Sequence, residues 1–158
     1  MPSVHRINLK HLATSLAISL GTGILSGILT MGSMESFDQI SKPTLTPPGI
    51  VFPIVWFILY TLMGISSYII YESDSPYRKS ALTVYAIQLV VNFIWPLLFF
   101  NLQAYLFSFI WILLLWILII GMIVQFYKVS KPAALLQIPY LLWVTFAAYL
   151  NLGVYLLN

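Results

Sequence analysis

Apolar positions along the chain fall into five long runs separated by short polar intervals: Leu12–Met31, Ile50–Tyr71, Ala81–Phe100, Tyr105–Phe126 and Ala133–Leu157. None contains Asp, Glu, Lys, Arg or His, and each reaches the ~18 residues that a helix needs to cross the hydrocarbon of a bilayer. The pattern predicts an all-α integral membrane protein, a bundle of five transmembrane helices forming one domain over residues 1–158. No repeat, low-complexity tract or linker interrupts it. Arg6 and Lys10 precede the first run as in a signal peptide. That run is too long for a signal-peptide core, however, and no small-x-small cleavage site leads into a soluble domain, so it is predicted as a retained helix.

The polar intervals are unequal. "ESDSPYRK" is short, "NLQ" is a tight turn, and "KVSKP" places Pro132 at the first helical position, where its missing N–H costs nothing. The first interval, "GSMESFDQISKPTLTPP" from Gly32 to Pro48, is the exception. Unstructured loops beyond ~12–15 residues are uncommon and are often functional lids, so this segment is predicted to cover the start of the second helix. Four of the chain's nine prolines, Pro43, Pro47, Pro48 and Pro53, crowd around that start. The first three predict a stiff approach, each with φ near −65°. Pro53 belongs to the first helical turn, where few intrahelical N–H bonds would be lost.

Composition makes the membrane assignment firmer. The chain is 61% hydrophobic and 7% charged, against roughly 25% charged residues in soluble domains, so lipid must stand where a wet surface would. The pI near 9.2 comes from a few loop cations and does not describe a nucleic-acid surface. Arg6, Lys10, Arg78, Lys79, Lys128 and Lys131 lie on one side of the predicted membrane and only Lys42 on the other. That asymmetry predicts a cytoplasmic N-terminus and an external C-terminus and lid, in a bacterial inner membrane. No cysteine is present, which removes thiolate chemistry, disulfides and Cys-bound metals. Ionisable side chains, the usual equipment of coupled transporters, pumps and voltage sensors, are missing from every run. His5 and His11 precede or begin the first helix and are placed at the interface. With no carboxylate pair, nucleophile–His arrangement or Gly-rich phosphate loop, a binding pocket or a purely structural role remains.

Pocket candidates follow from helical spacing. In the third run Gln88, Asn92, Trp95 and Phe99 share a face. An unpaired amide in hydrocarbon costs about 1–3 kcal/mol, so both amides must point into the bundle, as interhelical glue, pocket wall or both. The fifth run places Pro139, Tyr140, Trp143, Ala147 and Asn151 on one side, with Ala147 small enough to leave room; the second places Phe52, Trp56 and Tyr60 on one stripe. Each of these runs carries a proline (Pro53, Pro96, Pro139) beside a tryptophan (Trp56, Trp95, Trp143). Tryptophan in a membrane protein is commonly an interfacial anchor, and Trp111 and Trp116 of the almost uniformly apolar fourth run are assigned to anchoring or lipid contact. Ser19, Gly23, Ser26, Gly27 and Thr30 form a small-residue stripe on the first helix, the pattern that lets helix backbones approach in lipid.

The segments "KPTLTPPGIVFPIVWFILYTLMG", "YAIQLVVNFIWPLLFF" and "LLQIPYLLWVTFAAYLN", spanning about Lys42 to Asn151, resemble the TspO/MBR family of tryptophan-rich sensory proteins and translocator (peripheral benzodiazepine receptor) proteins. The resemblance implies a five-helix bundle, usually a homodimer, whose pocket opens toward the first loop. It implies binding of protoporphyrin IX, haem-related tetrapyrroles and benzodiazepine-type ligands by Trp56 and Trp143, with Asn92, Trp95 and Ala147 near the ligand. The candidate set is completed by Ser26, Phe37, Pro47, Phe52, Tyr60, Gln88, Phe99, Phe146 and Asn151. Two alternatives stand beside a receptor or sensor: light- and oxygen-dependent porphyrin degradation through Trp56 and Trp143, and transport of tetrapyrroles or other small hydrophobic molecules. No metal ligand and no resident cofactor are expected; a tetrapyrrole would be a ligand, without protein-coordinated iron. The chain departs from the family pattern at Leu45, where a lid tryptophan is common, and at Leu152 and Leu156, where the animal proteins' cholesterol motif requires tyrosine and a basic residue.

Overall fold

A computed structural model describes residues 6–158; His5 lies outside the described residues. The helices are α1 (Leu9–Thr30), α2 (Met34–Asp38), α3 (Val51–Tyr71), α4 (Arg78–Pro96), α5 (Tyr105–Val129), α6 (Lys131–Leu135) and α7 (Ile138–Leu157). Among the described residues, five helical stretches are long and apolar enough to cross a membrane: Leu9–Asp38, Val51–Tyr71, Arg78–Asn101, Tyr105–Val129 and Lys131–Leu157. The described residues contain no strand.

The ends of these helices are set by local chemistry. Asn8 caps α1, its side-chain oxygen accepting from the His11 N–H at 3.1 Å, which satisfies one of the orphan donors of a first turn. The same end is tied to α3: the Asn8 N–H donates to the Tyr68 hydroxyl at 2.9 Å, and His11 Nδ1 pairs with Glu72 Oε1. Ser130 caps α6 through the Ala133 N–H. Pro132 is therefore the second residue of α6, not the first as its spacing suggested, and still lies where no N–H is required.

Two runs differ from the expected helices. The predicted lid is not loop throughout, because α1 continues through a tighter turn at Met31–Ser33 into α2. No proline lies between Leu9 and Pro43 to stop it, and Gly32 alone costs a helix only about 1 kcal/mol. The irregular part is residues 39–50. The fifth run is split into α6 and α7, because Pro139 has no N–H and its ring would clash with a carbonyl one turn back. Gln137 fills the break: it is fully buried, and its Nε2 donates to Ser66 Oγ at 2.6 Å and toward Leu62 O at 3.4 Å. Pro139 itself is exposed and does not join the face of Tyr140 and Ala147. After Pro96 the backbone widens into a π-helical turn over Leu97–Asn101, a common response when the i−4 ladder loses a donor.

The small-residue stripe of α1 makes its closest approach to α3. A Cβ on Gly23 would lie 2.5 Å from the Tyr60 ring, and one on Gly64 would lie 2.7 Å from Leu16 Cδ2 and from Ser19 Oγ. Gly23→Leu is expected to lower the thermal midpoint of the detergent-purified protein, since overpacking costs about 1–3 kcal/mol. Gly21→Leu, where a side chain meets open space, should leave it unchanged. Equal melting of the two variants would show that the seam does not depend on Gly23.

α5 buries a stripe of Ser108, Ile112, Leu115, Ile119, Met122 and Phe126 and exposes Leu106, Ile110, Leu113 and Ile117. Lipid thus faces only part of this helix. Trp111 and Trp116, assigned from sequence to anchoring or lipid contact, are half-buried and also fasten α5 to its neighbours. Their indole N–H groups donate to Val91 O of α4 and Thr145 Oγ1 of α7, both at 2.8 Å.

Candidate functional site

Above the Gly23–Tyr60 crossing the helices separate and enclose a cavity of about 620 Å³ under the lid. The periodicity of α3 brings Phe52, Trp56 and Tyr60 to its wall; α4 brings Asn92 and Trp95, and the π-helical turn after it Phe99; α7 brings Trp143, Ala147 and Asn151. Ser26 of α1 and Phe37 of α2 join them. These residues, up to 125 positions apart in the chain, form one surface because each helix turns its 3.6-residue stripe inward.

The wall is largely aromatic. Trp95 stacks on Phe99 with centroids 5.3 Å apart, Phe99 meets Phe37 at 5.8 Å, Phe52 meets Trp143 edge-on at 5.8 Å, and Trp56 lies 5.7 Å from Tyr60. Such flat, apolar faces suit a flat, apolar ligand.

Its polar groups divide into two kinds. Asn151 is fully engaged: Oδ1 accepts from Trp95 Nε1 at 3.0 Å and from Ser108 Oγ at 3.1 Å, while Nδ2 donates to Tyr105 O at 2.8 Å. Ser26 Oγ donates to Phe93 O at 3.4 Å. Asn92 Nδ2 and Trp143 Nε1, in contrast, are buried donors with no hydrogen-bond partner. Buried N–H groups are rarely left unpaired, and two of them belong to residues of one largely apolar wall.

Three candidates lie off the wall. Gln88 is completely buried below the cavity; its Oε1 accepts from the Tyr140 hydroxyl at 2.8 Å and its Nε2 points to Met63 Sδ at 3.9 Å. It joins α4 to α7 and has no amide group free for a pyrrole or propionate. Pro47 borders a smaller outer recess with Thr46, Pro48 and Gly49. Phe146 backs the wall, 5.5 Å from Trp143 and 6.1 Å from Tyr149. Leu45, with φ of 75° and 74% exposure, does not line the cavity either.

Sequence periodicity missed the lid's contribution. Asp38, Lys42, Pro43 and Thr46 line the cavity, and only tertiary contacts seat them. Lys42 Nζ donates to Asp38 O and Ile40 O at 3.1 and 3.4 Å and sits 4.9 Å above the Phe37 ring. The lid is also fastened to α7. Ser41 and Asn158 exchange two hydrogen bonds, 3.2 and 2.8 Å, Tyr149 OH donates to Thr44 O at 2.7 Å, and Pro43 lies directly on Gly153. A side chain at Gly153 would strike the proline ring at 2.5 Å, so glycine is required for this closure.

Comparison with known proteins places this architecture. The chain is 36% identical over 152 residues to the tryptophan-rich protein TspO of Chlorobaculum tepidum, covering 93% of this chain and 95% of that protein. It is 37% identical over 153 residues to the tryptophan-rich protein TspO of Archaeoglobus fulgidus, covering 96% and 99%. The translocator protein of Ovis aries is 36% identical over 118 residues, covering 73% of this chain and 70% of that protein. The sequence profile of the TspO/MBR family matches residues 14–156. With five membrane-length helices and a match over nearly its whole length, this chain is an integral membrane protein of the TspO/MBR family.

Proposed function

We propose that the protein is a membrane receptor or sensor that holds a flat, apolar, acceptor-bearing molecule in the cavity between α1, α3, α4 and α7. Protoporphyrin IX, haem-related tetrapyrroles and benzodiazepine-type compounds are the ligand class. The observation that carries this is the pairing of an aromatic wall with two buried, unpartnered donors, Asn92 Nδ2 and Trp143 Nε1. The volume supports it, since pockets for such molecules span about 300–1,000 Å³. A relative, from Cereibacter sphaeroides, bears the name tryptophan-rich sensory protein. The tetrapyrrole enters as ligand and not as resident cofactor. His11 lies at the opposite end of α1 from Ser26 and Thr30, and among the described residues no three His, Cys, Asp or Glu side chains come together. We further propose a homodimer, with the lid on the external side of the membrane as the Lys and Arg distribution suggests.

The test is a titration in the dark. Protoporphyrin IX added to the purified protein is expected to quench tryptophan fluorescence and to saturate at one equivalent per chain. Quenching that fails to saturate, or matches that of free tryptophan, would refute the assignment. The degradation alternative is supported by Trp56 and Trp143 sharing the wall. Under illumination in air it requires that Trp56→Phe and Trp143→Phe slow the loss of porphyrin absorbance, and unchanged decay would remove it.

A further inference from the structure

We propose that the cavity exchanges its ligand sideways with the bilayer, through a slot between α1 and the first turns of α3 in the lid-side leaflet. This rests on the cavity being a ligand site. It adds the route, and with the route a requirement that the ligand partition into lipid.

The slot is visible in residues that line the cavity and are nevertheless open to the outside. On α1 and the tighter turn that follows it these are Ile24, Gly27 and Met31; on α3 they are Pro53 and Phe57. Ile24 is 62% exposed, Met31 66% and Phe57 64%. All of them lie in or next to the membrane-crossing stretches Leu9–Asp38 and Val51–Tyr71, so the medium they face is hydrocarbon. None bears a polar side chain, as a wet entrance would require. The lower end of the slot is closed where Gly23 meets Tyr60, whereas a side chain at Gly27 would meet nothing within 4 Å. The two helices cross tightly and then diverge.

The water side is built in the opposite way. The lid is held to α7 by the Ser41–Asn158 exchange, by Tyr149 OH on Thr44 O and by Pro43 on Gly153. Opening it requires several polar contacts to break together. The slot requires none. At its upper end stand Asp38 and Lys42, so an amphipathic ligand can keep its polar end at headgroup level while its apolar body slides between the helices.

The absence of cysteine permits a test that needs no ligand. A single thiol is placed on the far wall by Ala147→Cys, with Ala148→Cys, buried but off the cavity wall, as background. Each variant, in phosphatidylcholine vesicles, is labelled either with a long-chain N-alkylmaleimide carried in the bilayer or with a sulfonated maleimide in water. The lipid-borne reagent should modify Ala147→Cys about tenfold faster than the water-borne one, relative to the background variant. Adding Gly27→Phe, at a position where a Cβ meets nothing within 4 Å, should slow that reaction about tenfold, and Phe57→Ala, which widens the slot, should speed it. Tyr149→Phe, which loosens the lid, should change neither rate by more than about twofold. The proposal is overturned if Gly27→Phe and Phe57→Ala leave labelling unchanged, or if Tyr149→Phe accelerates the water-borne reagent. The dark protoporphyrin titration separates the two ideas. Failure of the titration with the labelling pattern intact rejects the ligand and keeps the route; saturable binding with labelling indifferent to Gly27 rejects the route alone.

Discussion

Asn151→Leu is expected to destabilise the bundle by roughly 3 kcal/mol, from three lost hydrogen bonds at about 1 kcal/mol each. The substitution is close in volume, so its effect is electrostatic rather than steric. Asn151 sits on α7 and holds Trp95 of α4 together with Ser108 and Tyr105 of α5. Its removal leaves the Trp95 indole N–H buried without a partner, where hydrocarbon offers no water to replace it, while the Ser108 hydroxyl keeps only the Tyr105 carbonyl at 3.0 Å. Ser108→Ala, which takes away one of these bonds, should cost about a third as much. Thermal unfolding of detergent-purified variants measures both. An Asn151→Leu protein that melts with the parent would show that the three helices are held by apolar packing alone.

Asn92→Leu is expected to act in two directions at once. Asn92 is 1% exposed, and its Nδ2 has no partner, so the ligand-free protein bears the cost of a buried, unsatisfied donor. Replacing it by an isosteric apolar group should raise thermal stability by about 1 kcal/mol. The same change removes a hydrogen bond that an acceptor-bearing ligand would make, and should weaken protoporphyrin binding about tenfold. Trp143→Phe, which deletes the second free donor and reduces the stacking face, should weaken it by a similar factor, and the double variant by about a hundredfold if the two act independently. Loss of affinity with gain of stability is the signature of a residue kept for binding. If Asn92→Leu lowers both, the amide is structural glue like Gln88, and the acceptor subsite does not exist.

Gln88 and Asn92 also show where legibility stops. Their spacing with Trp95 and Phe99 placed all four on one inward face, and all four are buried. That much follows from the 3.6-residue period and from the expense of an amide in lipid. Nothing in the spacing tells which amide is consumed. Gln88 meets a hydroxyl 52 positions away, whereas Nδ2 of Asn92, one turn further along, has no hydrogen-bond partner. The difference depends on how far α7 is shifted along α4, and therefore on packing between elements that share no local sequence.

Prolines and tryptophans divide in the same way. The last run was read as one helix through Pro139, although a ring without an N–H cannot continue the ladder; that Gln137 fills the resulting break by reaching Ser66 of α3 required the two helices to be side by side. Trp111 and Trp116 read as lipid anchors from an apolar helix with no visible inner face, yet their N–H groups clasp α4 and α7. The lid was the least legible segment. Its prolines stiffen the backbone, but its closure on Gly153, Tyr149 and Asn158 joins opposite ends of the chain.

By itself the sequence determined a five-helix membrane bundle and the inward stripes of Trp56, Asn92, Trp95 and Trp143, because hydrocarbon forces backbone groups into helices and amides away from lipid. Only the tertiary structure decided that these stripes enclose a single cavity, which donors in it stay free, and that α1 and α3 part above Gly23. Those outcomes depend on the register and crossing of helices far apart in the chain, which no local periodicity encodes.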